Sequence, residues 1–241
     1  MGMMEQIGKR RFAPGKGVVG PPPQKGVKRF FFLLVTHFWR LVTLNLLFLL
    51  FCIPVITIPA ALCGMNRVLI TLVRDGNCFL WSEFIKEFKA NLVKSLPFGI
   101  LFVFLLLDSY YFFSRQTLAA DDGMKILTVT AGFVFLSIAV LFSSYVFVLL
   151  PSLALANKDI AKNAFILMVT EWKVSLLILG STGLLTFITA ALFPYTAFLI
   201  LLILFSLAQF IVCFAVNEPL QRRIIGPFEK MQGEKIQGEN A

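Results

Sequence analysis

Few residues in this chain can do chemistry, and they fall in two places. Asp108 is the one carboxylate inside a long, clean apolar run. An acid at membrane depth is costly, so its functional reading is a proton or cation site, or a partner for a facing basic residue. Its other reading is geometric. It lies 11 residues beyond Pro97, about 16 Å along a helix, and can reach the outer interface with Ser109 and Tyr110. Arg40, Asn45, Asn66 and Arg67 form the second group, around a stretch broken by Pro54 and Pro59. Together they could line a polar cavity at an interrupted helix, as in secondary transporters. Taken singly, Arg40 can snorkel to the surface and Asn66 can hydrogen-bond across helices.

Other chemistries lack their residues. His37 is the only histidine, and Cys52, Cys63, Cys78 and Cys213 form no CxxC pair, which removes histidine-rich zinc sites and disulfide frameworks. No Walker A, Rossmann glycine fingerprint, G-x-S-x-G elbow or HExxH occurs. No catalytic residue, cofactor or metal is therefore expected. Gln209 and Asn217 read as interhelical hydrogen bonds, and Gly132, Gly180 and Gly183 as points of close helix approach. Arg74-Asp75-Gly76-Asn77 reads as a helix-ending turn with a left-handed glycine.

What positions these residues follows from composition. Of 241 residues 58% are hydrophobic and 15% charged, with 27 Phe. A soluble domain carries about 25% charge, so a soluble enzyme and a disordered chain are both excluded. Spanning about 30 Å of hydrocarbon takes roughly 20 apolar helical residues. Four segments qualify cleanly: about Leu96–Phe113, Ile126–Leu150, Val174–Phe193 and Tyr195–Val216. Residues 31–73 allow one span or two meeting at Pro54–Pro59.

Basic residues decide between these, because Lys and Arg favour the cytoplasmic side. A single crossing would leave 10 inside and 12 outside, whereas a returning pair leaves 20 inside and 2 outside. The predicted fold is thus all-α, a polytopic helical membrane protein with 5–6 spans, a proline-broken first hairpin and both termini in the cytoplasm. Phe79–Ser95 and about Lys158–Thr170 have helical apolar spacing with charged opposite faces, and read as interfacial amphipathic helices. Asn157 is the expected cap of the second. The organisation is a disordered basic tail (1–29), one membrane domain (30–216) and a short polar tail (217–241). The net charge of +9 suits anionic headgroups. It does not point to nucleic acid, because the aromatics lie inside apolar runs.

The residues at Asn45-Leu-Leu-Phe-Leu-Leu-Phe-Cys-Ile-Pro-Val-Ile-Thr-Ile, at Leu72-Val-Arg-Asp-Gly and at Phe79-Leu-Trp-Ser-Glu-Phe-Ile-Lys-Glu-Phe-Lys-Ala-Asn resemble the YesL-like family of bacterial membrane proteins, a domain of unknown function. The likeness covers roughly Phe30–Phe98, with Pro59 where that motif often has glycine. It implies a Gram-positive plasma membrane and gene neighbourhoods of polysaccharide breakdown and sugar uptake. The expected role is a non-enzymatic membrane accessory protein, with the lipid bilayer and sugar ABC permease or sensor subunits as partners. The alternative is a small secondary transporter or permease subunit.

Overall fold

The computed structural model describes residues 26–118, 121–153 and 155–226. The basic tail and the last part of the polar tail lie mostly outside them. Every regular element among the described residues is helical. The chain divides after Phe38 into two units. The first contributes α1 (Val27–Thr36). The second begins at Trp39 and holds the remainder: α2 (Phe38–Phe51, its first residue at the boundary), α3 (Ile58–Asp75), α4 (Leu80–Asn91), α5 (Leu96–Arg115), α6 (Asp122–Leu149), α7 (Asn157–Thr170), α8 (Trp172–Ala191) and α9 (Ala197–Ile225).

Five stretches are long and apolar enough to cross a membrane: Val55–Asp75, Leu96–Arg115, Asp122–Leu149, Trp172–Ala191 and Ala197–Ile225. The all-α polytopic architecture is the one the chain adopts. α2 has 14 residues, about 21 Å, short of the roughly 30 Å core. With α1 it would supply a sixth span only if the pair, interrupted at His37, acts as one.

Local chemistry sets the boundaries. A short 3₁₀ turn at Val55–Thr57 follows Pro54, and Pro59 then sits in the first turn of α3, where its missing N–H costs nothing. α3 ends at Gly76, which has φ 73° and donates its N–H to the Leu72 carbonyl at 3.0 Å, as the turn reading expected. Asp121 caps α6 by accepting the Met124 N–H at 2.7 Å. α7 departs from expectation. Its N-cap is Ala156 with no side-chain cap, and Asn157 instead donates to the Lys94 carbonyl at 3.2 Å, tying the end of α4 to the start of α7. α9 also continues through two π-helical turns to Ile225, past the Val216 expected from hydropathy.

Arg40, near the start of α2, donates to Asn77, just past the end of α3, so α2 and α3 run antiparallel and the first hairpin returns. Arg222 and Arg223 bond Glu171, and Tyr145 shares a hydrogen bond of 3.0 Å with Ser175. The open end of that hairpin thus gathers Arg40 and Arg74, with Arg222 and Arg223 following Asn217 on α9.

α3 is the core, with 56% of its apolar window buried, against 11% for α6 and for α8. Two glycines make this packing possible. A Cβ on Gly64 would stand 2.9 Å from the Phe84 carbonyl oxygen, and one on Gly99 would stand 2.3 Å from the Pro59 ring. Accordingly α4 does not rest its aromatics in the acyl boundary. Phe84 and Phe88 are buried in the protein, their rings 5.3 and 4.7 Å from that of Phe51, leaving Phe79 and Trp81 exposed. A Cβ on Gly132 would likewise stand 3.0 Å from the Phe113 ring, but one on Gly180 or Gly183 would meet no other side chain or helix within 4 Å, so neither makes the helix approach expected of it among the described residues.

Gly64→Val should lower the midpoint of denaturant unfolding in mixed micelles by the equivalent of about 1–3 kcal/mol, the cost of overpacking. Gly180→Ala should leave that midpoint unchanged or raise it. Equal sensitivity of the two sites would contradict this packing.

Candidate functional site

Of the sequence-selected polar residues of the first hairpin, Asn45, Asn66 and Arg67 meet backbone, and Arg40 meets the Asn77 side chain. α6 ends just before Pro151, which has no N–H to offer the Phe147 carbonyl four residues back. Asn66, fully buried on α3, donates to that carbonyl at 2.9 Å. The neighbouring carbonyls are served too. Ser152 Oγ donates to Val148 at 2.6 Å, the Ser152 and Leu153 N–H groups reach Leu149, and Arg67 Nη1 reaches Pro151 at 3.2 Å. Cys213 Sγ on α9 lies 3.5 Å from Asn66 Oδ1.

Asn45 does the same for α9. The π-helical turn Ile200–Leu204 interrupts the ordinary ladder. Asn45 Nδ2 donates to the carbonyls of Ile200 and Leu201 at 3.1 and 2.7 Å, and Oδ1 accepts the Ser206 N–H at 3.0 Å. One fully buried amide thus satisfies three backbone groups.

Arg67 Nε stands 4.0 Å from Glu87 Oε1, whose other oxygen accepts from Asn91 Nδ2 at 2.8 Å. Arg74 Nε donates to Asn217 Oδ1 at 3.0 Å. Asn217 therefore makes the interhelical bond expected of it. Burial pushes the Cys78 thiol up, Glu83 adds to this, and the Arg40 guanidinium opposes it. At the α7–α8 corner, burial works to raise the Glu171 carboxyl, but the Arg223 and Arg222 guanidiniums outweigh it and hold the group below the ordinary carboxylate range.

Asp108 stands apart from this set. It is partly exposed on α5 and makes no hydrogen bond or ion pair with Arg40, Asn45, Asn66 or Arg67. Its neighbour Ser109 is buried and donates to the Gly132 carbonyl at 2.9 Å.

A groove of about 730 Å³ opens between α6, α8 and α9, with Ser144, Thr182, Thr186, Thr189 and Gln209 on its walls. Gln209 does not form the interhelical bond expected of it. Its Oε1 is buried with no hydrogen-bond partner among the described residues. The sequence carried a signal for this groove: Thr182, Thr186 and Thr189 recur at i, i+4, i+7 on one face of α8. Among the described residues no cluster of three His, Cys, Asp or Glu could hold a metal ion.

Residues 41–111 match the family model described as "Protein of unknown function, DUF624". This agrees with the membrane family of unknown function that the N-terminal half resembles. The match covers less than a third of the chain. It includes Asn45, Asn66, Arg67 and Asp108 but neither the α6 end nor the α9 turn that the two asparagines bond. No curated protein and no solved structure matches the chain.

Asn66→Leu and Asn45→Leu should each lower stability in a micelle unfolding titration by about 0.6–1.7 kcal/mol, the range for hydrogen bonds between membrane helices, while Asp108→Asn leaves it unchanged. Adding Pro151→Ala to Asn66→Leu restores an N–H to the Phe147 carbonyl and should recover part of the loss; absence of any recovery would contradict the assignment.

The Glu171 tie is present above the ordinary carboxylate pKa and is lost as pH falls through the lowered folded value. Thermal stability of the wild type should therefore drop on the acid side more steeply than that of Glu171→Gln. Superimposable pH profiles would remove the tie from the stability of the fold.

Proposed function

We propose that this chain, which shares residues 41–111 with a family of unknown function, is a non-enzymatic integral membrane accessory protein, engaging the membrane subunits of a carbohydrate uptake or sensing system through its cytoplasmic face. The observation that carries this reading is the use made of the intramembrane polar residues: Asn45, Asn66 and Arg67 are occupied by backbone groups. Residues held in that way stiffen a scaffold and are poorly placed to handle a moving solute.

α4 and α7 supply the working surface. Asn157 ties the two helices through the Lys94 carbonyl, and Lys86, Lys89, Lys158 and Lys162 are exposed on them. By the positive-inside rule these lysines face the cytoplasm, and they suit acidic loops of a partner subunit. The carbohydrate connection rests on the family resemblance, and the non-enzymatic reading on the absence of a paired nucleophile and base in the sequence.

Lys86→Cys and Lys162→Cys should both react with an impermeant thiol reagent only from the cytoplasmic side, and Lys125→Cys only from outside. Mild solubilisation of cells grown on polysaccharide should co-purify permease or sensor subunits with the tagged protein, and reversing the four lysines to glutamate should release them. Repeated recovery of the protein alone would count against the accessory role.

A further inference from the structure

The groove between α6, α8 and α9 is unlike the stapled interior beside α3, because its polar groups have capacity left over. Every hydroxyl that lines it already donates along its own helix. Ser144 gives its proton to Val140 at 2.7 Å, Thr182 to Ile178 at 2.6 Å, Thr186 to Thr182 at 2.8 Å and Thr189 to Leu185 at 2.7 Å. A carbonyl can only accept, so these hydroxyl protons are committed, and what each oxygen still offers is a lone pair. Gln209 Oε1 adds a buried acceptor with no partner among the described residues. Gln209 Nε2 brings the only N–H donors among the lining side chains, and the acceptors around it outnumber them.

Its position limits what can bring that donor. Gln209 is 12 residues into the 29-residue α9, about 18 Å from its start, and Thr182 is midway along α8. The groove therefore opens at the depth of hydrocarbon. No Asp, Glu, Lys or Arg lines it, so a charged headgroup would enter unpaired. Its volume of about 730 Å³ falls within the roughly 300–1,000 Å³ of small-molecule sites.

We propose that this groove binds an uncharged lipid carrying a free hydroxyl, whose O–H donates to Gln209 Oε1 while its chains lie along the threonine face of α8 and the Phe205 side of α9. The proposal does not depend on the accessory reading. A neutral lipid alcohol meets each constraint: apolar bulk, no charge and a hydroxyl that donates to the partnerless Oε1.

The test is native mass spectrometry of the full chain released from nanodiscs containing 1,2-dioleoylglycerol or its 3-acetyl ester, which has the same chains and no donor. The free alcohol should be retained about threefold to fifteenfold better than the ester, the equilibrium worth of one hydrogen bond between groups in a membrane. Gln209→Leu should abolish that preference, and Ala208→Trp, which fills the groove, should remove both lipids. If Gln209→Leu fails to fold, Thr186→Val, which removes one wall acceptor, should reduce the preference in its place. Equal retention of alcohol and ester by the wild type, full preference in the folded Gln209→Leu protein, or a protein dimer occupying the groove in place of lipid would each overturn the proposal.

Discussion

Backbone polar groups in hydrocarbon have no water to turn to, and each must find its partner inside the chain. That constraint organises this molecule. A straight helix satisfies itself, but α6 meets Pro151 and α9 contains a π-helical turn at Ile200–Leu204. Each break strands carbonyls at membrane depth. The first hairpin supplies what is missing, Asn66 and Arg67 from α3 to the end of α6 and Asn45 from α2 to the turn in α9. The polar residues of the hairpin and the irregularities of the distant helices are two halves of one design.

The same hairpin also holds the close packing. Gly64 admits the backbone of α4, and Gly99 on α5 admits the Pro59 ring. Pro59, at the start of α3, is therefore matched by a glycine on the helix it faces. Packing and hydrogen bonding converge on α3, which is why its window is 56% buried while those of α6 and α8 stand at 11%.

The spans were legible in the sequence because hydropathy and length report directly on the surrounding solvent, and the return of the hairpin because basic residues sort by side. The left-handed end of α3 at Gly76 was legible from local turn chemistry. Partnership was not. Nothing in the spacing around Asn45 says that its amide meets carbonyls 155 and 156 residues away, because periodicity describes one helix at a time. The same blindness explains α4, whose apolar face looks alike whether it meets lipid or protein; only Gly64 across the interface decides that Phe84 is buried. It also explains Gly180 and Gly183, small residues that permit a contact without requiring one.

Concentrating cohesion on α3 has a structural consequence. Between apolar helices in lipid there is no hydrophobic drive to close a gap, because lipid tails solvate Leu and Phe as well as another helix does. The α5–α6 and α8–α9 hairpins are fastened by Asn66 to Phe147, Tyr145 to Ser175 and Glu171 to Arg222. Beyond those fastenings α6 and α8 share no further side-chain hydrogen bond among the described residues. The space between them persists as a groove because filling it with protein would gain little over filling it with lipid. A soluble protein of the same length would collapse such a cleft under hydrophobic pressure. In this chain the cleft is the natural result of helices fastened at a few points and solvated by lipid along the faces between them.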